Sequence, residues 1–126
     1  ETIELGKSLS EFIEAGDIMT LDGDLAAGKT TFVKGILSGF NFKHEVTSPT
    51  FTLINEYEAE HRVIHIDCYR ENNLQRWLNL GIQDYFYSDD VKIIEWPEII
   101  SALIPEDHIS IILTSISEFE RKIYIK

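Results

Sequence analysis

Apolar residues recur along this chain with two different periods, and the switches between those periods divide it into elements. Leu5, Leu9, Phe12 and Ile13 fall on one helical face and Gly16 follows as a stop, so the chain is expected to open with a short amphipathic helix. Ile18-Met19-Thr20-Leu21 reads as a buried strand, after which Phe32, Val33, Ile36, Leu37 and Phe40 return to helical spacing. Lys43 to Pro49 is polar and loop-like. Phe51 to Tyr57 and Arg62 to Asp67 carry enough β-branched and aromatic residues to be strands, and Glu58 to His61 between them is of hairpin length. Asn72-Asn73 punctuates a helical stretch through Leu74, Trp77, Leu78 and Leu80. Val91 to Trp96 is another buried-type strand, stopped by Pro97, and His108 to Thr114 and Arg121 to Ile125 are strands separated by a Ser-rich turn. The expected architecture is α/β, one domain over residues 1–126, with a mixed parallel/antiparallel sheet flanked by helices, because a hairpin interrupts the βα alternation.

Composition narrows the class. At 126 residues the chain can bury roughly two-thirds of its extended surface in a single core, without structural metal or disulfides. Cys68 is the one cysteine, so no internal bridge can form and a reducing compartment is expected. Cys68 itself reads as a small buried apolar residue rather than a reactive thiol. No apolar run reaches the ~20 residues of a membrane span and no cleavable leader is visible, which points to a cytoplasmic protein with no membrane role. The chain opens on Glu1 rather than methionine, as a trimmed N-terminus would. Its net charge is −11, from 22 acidic against 11 basic residues. That balance argues against direct binding to a nucleic-acid backbone, which draws affinity from Lys and Arg, so any RNA connection should run through a partner.

The candidate chemistry starts at Gly23-Asp24-Leu25-Ala26-Ala27-Gly28-Lys29-Thr30, which fits G-x-x-x-x-G-K-[ST] between an expected strand and an expected helix. Gly23 and Gly28 let the backbone approach phosphates, and successive N–H groups with the helix N-terminus supply positive potential. Lys29 should reach the β- and γ-phosphates, and the Thr30 hydroxyl should bind Mg²⁺. A Gly-rich turn before a helix needs no ligand, but it also needs no lysine. Such a site wants a carboxylate across from the loop, and two apolar strands end in one: Val63 to Asp67 and Val91 to Glu95. Position alone does not rank them. Thr47-Ser48-Pro49-Thr50 supplies hydroxyls where nucleotide switches sense γ-phosphate, or else forms a self-bonded turn. His65, two residues from Asp67 on the same strand face, reads as a packed or hydrogen-bonded residue rather than a general base. Trp96 reads as core, and beside Glu95 it is a natural reporter of nucleotide.

Thr2-Ile3-Glu4-Leu5-Gly6, Gly23 to Thr31, Ser48-Pro49-Thr50-Phe51, His65-Ile66-Asp67-Cys68-Tyr69-Arg70, Gly81-Ile82-Gln83-Asp84-Tyr85 and Glu95-Trp96-Pro97-Glu98, in this order, resemble the bacterial TsaE (YjeE) family. The phosphate loop alone is unspecific. S-P-T-F, H-x-D-x-Y-R and E-W-P-E at these separations are distinctive. The resemblance implies a P-loop NTPase-like fold and a Mg²⁺-dependent ATPase of tRNA threonylcarbamoyladenosine biosynthesis. Such a protein acts on a transferase complex of the TsaB/TsaD type and meets tRNA only indirectly. It implies that residues 23 to 31 (Asp24, Leu25, Ala26, Ala27 and Thr31 among them) hold ATP, that Thr30 and Glu95 hold Mg²⁺, and that Lys29, Asp67 and Glu95 are catalytic. Ser48, Pro49 and Thr50 would form a switch, and Thr2 and Arg121 would lie near the adenosine. Two features depart from the pattern. Ala26 stands where the family has glycine, so it must avoid positive φ or accept about 1 kcal/mol, and both termini look short. A GTP-binding switch would carry an N-K-x-D element, which is absent, and a small-molecule kinase would need more arginines than Arg62, Arg70, Arg76 and Arg121. A non-catalytic ATP-sensing module shares every motif with the ATPase.

Overall fold

The computed structural model describes residues 2–23, 29–42, 53–68, 73–115 and 121–125, with backbone alone for residues 2, 3, 30, 113–115 and 121–125. In chain order its elements are α1 (Thr2–Ser10), β1 (Ile18–Gly23), α2 (Lys29–Gly39), β2 (Ile54–Tyr57), β3 (Val63–Asp67), α3 (Leu74–Asn79) and α4 (Ile82–Phe86). They continue with β4 (Val91–Glu95), a 3-10 helix (Pro97–Leu103), β5 (Ile109–Ser115) and β6 (Arg121–Ile125). The strands form one sheet in the order β2-β3-β4-β1-β5-β6. Its inner strands β3, β4, β1 and β5 are parallel, while β2 and β6 pair antiparallel at the two edges. The mixed sheet expected from the hairpin is therefore present, and the last two strands add a second antiparallel edge.

Parallel strands are covered on both faces, which is why β3 and β4 read as runs of Val and Ile rather than as alternations. On one face Met19, Leu21, Val63, Val91 and Ile93 pack against Phe32, Val33, Ile36 and Leu37 of α2. On the other, Ile18, Ile64, Ile66 and Ile94 pack against Trp77, Ile82, Phe86 and Ile100. Every apolar residue assigned to α2 from its spacing is buried.

The opening helix departs from its expected face. Leu5 is 52% exposed and Phe12, beyond the end of α1, is 76% exposed, while Leu9 and Ile13 do reach the core. The side of α1 turned to α2 runs through Gly6, Leu9 and Ser10. A Cβ at Gly6 would lie 2.5 Å from the Phe32 carbonyl oxygen, and one at Gly39 would lie 1.8 Å from Ser10 Oγ. The helices thus meet almost backbone to backbone through small residues, a contact that apolar periodicity does not register. The helical stretch expected through Leu80 is also two helices. Gly81 sits at φ 76° between them, a conformation cheap only for glycine, and Asn73 caps α3 by accepting from the Gln75 N–H at 2.9 Å. The β2–β3 hairpin pairs Tyr57 with Val63, leaving five residues in its connection rather than four.

At the strand edge where β1 and β4 begin, Lys92 is fully buried and donates to the carbonyls of Gly16 at 3.0 Å and Ser88 at 2.9 Å, tying two connecting segments to β4. No described helix is long and apolar enough to cross a membrane.

Candidate functional site

The opposite edge of the sheet is where the chemistry collects. β1 ends at Gly23, which adopts φ 140°. In the parallel register Glu95 lies opposite Leu21 on one side and Asp67 on the other, so β1, β4 and β3 finish side by side. Strand alternation puts His65, Asp67 and Glu95 on the same face as Val63, Val91 and Ile93, the face covered by α2.

Lys29 is the first residue of α2, 3% exposed, and its Nζ donates to the Gly23 carbonyl at 2.9 Å and lies 3.8 Å from the centre of the Trp96 ring. Burial lowers its pKa below the ordinary 10.5, and the carboxylates of Glu95, Asp67, Asp22 and Glu98 pull the other way. The lysine is thus held out of water at a focus of negative charge. α2 has no acidic residue in its first turn, so the partial positive charge of its N-terminus is not offset within the helix. Trp96 reaches Lys29 from a left-handed backbone, φ 54°, immediately after β4, a conformation costing about 1–2 kcal/mol for a non-glycine residue.

Glu95 is 4% exposed and its Oε2 lies 2.5 Å from His65 Nε2, while Asp67 beside it is half-buried. The reading of His65 as a hydrogen-bonded strand residue holds. Glu95 and Asp67 are oxygen donors of the kind Mg²⁺ takes. No group of three or more His, Cys, Asp or Glu among the described residues could cage an ion. One or two carboxylates completed by phosphate oxygens and water are the usual Mg²⁺ arrangement, and the residues present fit it.

The remaining candidates divide by position. Thr30 and Thr31 belong to the first turn of α2, with Thr31 half-buried and Thr30 described by its backbone. Asp24, Leu25, Ala26, Ala27 and Gly28, like Ser48, Pro49 and Thr50, lie outside the described residues. Arg121 pairs with Ser115 at the end of β5, on the same edge of the sheet as Gly23 and two strands across from β1. α1 runs alongside α2 in roughly the same direction, Gly6 against Phe32 and Ser10 against Gly39, so Thr2 begins α1 at the end nearest the start of α2. The backbone therefore brings Thr2 and Arg121 to the edge that holds Lys29.

Sequence reasoning did not reach Asp22 and Glu98 as part of the charge around Lys29, nor the pairing of His65 with Glu95. Asp22 precedes Gly23 and its Oδ1 accepts from the Gly23 N–H at 2.9 Å, a position legible as next to the motif but not as near enough to act on the lysine's charge. Cys68 is buried, with its thiol pushed up to about 12 by burial and then by the charges of Asp67 and Glu98. The inert reading of that residue fits.

A parallel-cored sheet in which β1 ends at Gly23 and α2 begins at Lys29, so that the G-x-x-x-x-G-K-T sequence spans the step from strand to helix, with acidic ends on neighbouring strands, defines a P-loop NTPase-like α/β protein. The family model described as "Threonylcarbamoyl adenosine biosynthesis protein TsaE" matches residues 1–123, and the chain belongs to the TsaE family. It is 37% identical over 124 residues to the tRNA threonylcarbamoyladenosine biosynthesis protein TsaE of Bacillus subtilis, covering 98% of this chain and 77% of the relative. To the protein of the same name from Treponema pallidum it is 36% identical over 125 residues, covering 99% and 93% respectively. Its structure is similar to the crystal structure of Bacillus subtilis YdiB, with a TM-score of 0.82 at 33% identity over 97% of this chain and 75% of the other.

Proposed function

We propose that this chain is a Mg²⁺-dependent ATPase required for threonylcarbamoyl modification of adenosine 37 in tRNAs reading codons that begin with A. It acts on a transferase complex of the TsaB/TsaD type and contacts tRNA only through it. The observation that carries the ATPase reading is the convergence of Lys29, Asp67 and Glu95 on one face at one strand edge. Family membership supports the pathway.

In this reading Lys29 exchanges its bond to the Gly23 carbonyl for β- and γ-phosphate oxygens, and the loop N–H groups with the N-terminus of α2 hold the remaining phosphate charge. Thr30 and Glu95 hold Mg²⁺, which when bound offsets charge on the same phosphates. Asp67, next to Glu95 and less buried, accepts the proton of the attacking water. Thr2 and Arg121 take the adenosine side, and Ser48, Pro49 and Thr50 respond to the γ-phosphate. Turnover is slow in isolation because the partner completes the site.

The test is ATP hydrolysis with Mg²⁺, for the chain alone and with its transferase partners, while Trp fluorescence is followed on nucleotide addition. Stimulation by the partners is expected. Binding without stimulated turnover would favour an ATP-sensing module, and a preference for GTP would overturn the reading.

A further inference from the structure

Glu95 is a nearly buried carboxylate, and the side chain that bonds it comes from the adjacent strand. Its side chain is 5% exposed and that of His65 is 0% exposed, with Nε2 and Oε2 2.5 Å apart. The register explains how they meet: His65 pairs with Ile93 and Asp67 with Glu95, so His65 reaches diagonally along the shared face to the residue beyond its own partner. With Glu95 ionised, its oxygens only accept, and the ring proton that bonds it is then on Nε2. Nδ1 has no hydrogen-bond partner among the described residues. A proton moved to Nδ1 would bury an unpaired donor and turn a lone pair toward Glu95, so the carboxylate selects one tautomer. The Tyr57 ring, 6.4 Å away centre to centre, helps enclose the imidazole.

We infer that His65 is a positioning residue for the Mg²⁺-binding carboxylate. It fixes Glu95 through Oε2 and leaves Oε1 to the ion, which rests on the reading of Glu95 as a metal ligand. A histidine that merely filled space would need no Nε2–H, and any side chain of similar shape would replace it. Metal-binding groups are commonly oriented in this way by a hydrogen bond from outside the ligand set.

Two measurements test this. In the nucleotide-free and metal-free protein, two-bond ¹H–¹⁵N correlation of the His65 ring should show one tautomer with its proton on Nε2, giving way to a mixture in Glu95→Ala. A proton on Nδ1, or a tautomer indifferent to Glu95→Ala, would overturn the inference. In Mg²⁺ titrations of ATP binding, the half-saturating Mg²⁺ concentration should rise about 10–100-fold in His65→Ala, while ATP affinity without Mg²⁺ stays within about twofold. His65→Gln, whose amide nitrogen falls near the Nε2 position, should restore the Mg²⁺ dependence. His65→Asn, whose amide reaches only to Nδ1, should not. Wild-type Mg²⁺ dependence in His65→Ala, or equal rescue by both amides, would sink the positioning role. Glu95→Ala, titrated alongside, separates the two claims. If it too matches wild type, the assignment of Glu95 as ligand fails and takes the inference with it; if it alone weakens Mg²⁺ binding, only the inference fails.

Discussion

Lys29 illustrates how much one side chain can be asked to reconcile. It is nearly buried, which disfavours its charge, while nearby carboxylates, the Gly23 carbonyl and the face of Trp96 favour it. None of these partners is needed if phosphate takes their place. Lys29→Ala should therefore lower ATP affinity about 10–100-fold, the loss expected for a charge-assisted hydrogen bond, as read by calorimetry. Unchanged affinity would remove the phosphate-loop assignment. Cys68 makes the contrasting case. With its thiol at about 12 against an ordinary 9.0, the thiolate fraction at pH 8 is roughly a thousandfold below that of a free thiol, so native protein should resist alkylation until it is unfolded. The same shift has a signed consequence for stability. A folded pKa raised above the unfolded one contributes stability that is complete below about 9 and is lost as pH rises through about 12. Lys29 and Lys92, both lowered by burial, act in the opposite sense as they shed protons below 10.5. The difference between wild type and Cys68→Ala in urea unfolding isolates the thiol, and it should shrink across that window. A difference constant with pH would count against the burial argument.

Among the elements, α1 packs directly against α2, the helix that begins with Lys29. The closeness of that contact depends on the absence of a side chain at Gly6, where the nearest atoms are backbone of Phe32 and Ile36 and cannot rotate away. Gly6→Ala gains up to about 1 kcal/mol in helix propensity but overpacks the contact, a loss of about 1–3 kcal/mol. The net expectation is a lower midpoint in urea. An unchanged midpoint would mean that α1 can move off without loss. This face was illegible in the sequence because a hydrophobic pattern counts large apolar residues. Here it marked Leu5 and Phe12, which are exposed, and passed over Gly6 and Ser10, which touch α2. α2 itself was legible because Phe32, Val33, Ile36 and Leu37 all pack against one face of the sheet. The break at Gly81 and the 3-10 turn after Pro97 depend on backbone angles at single residues, which periodicity averages away.

For the molecule as a whole, the two edges of the parallel strands divide the labour. One carries structural ties, Lys92 to two carbonyls and Arg62 to Glu56, Glu58 and Asp90, while the other carries the site. The net charge of −11 belongs to the whole chain, and it works against binding a nucleic-acid backbone, which draws its affinity from Lys and Arg. The chain alone should fail to retard unmodified tRNA in a gel at about 0.15 M salt, and a shift should appear only with the transferase partners. A retarded band with the chain alone, strengthening as salt is lowered, would reverse that expectation.

By itself the sequence determined the features that are local in the chain: the buried strands, the G-x-x-x-x-G-K-T pattern between β1 and α2, and the acids that end β3 and β4. Each follows from a short pattern whose physical meaning does not depend on distant residues. The tertiary structure decided which of these meet. Placing β4 between β3 and β1 set Asp67 and Glu95 side by side, and the packing of α2 over that face turned Lys29 toward them. It also paired His65 with Glu95 across 30 residues, a contact set by strand order and register, which side-chain periodicity within either strand cannot encode.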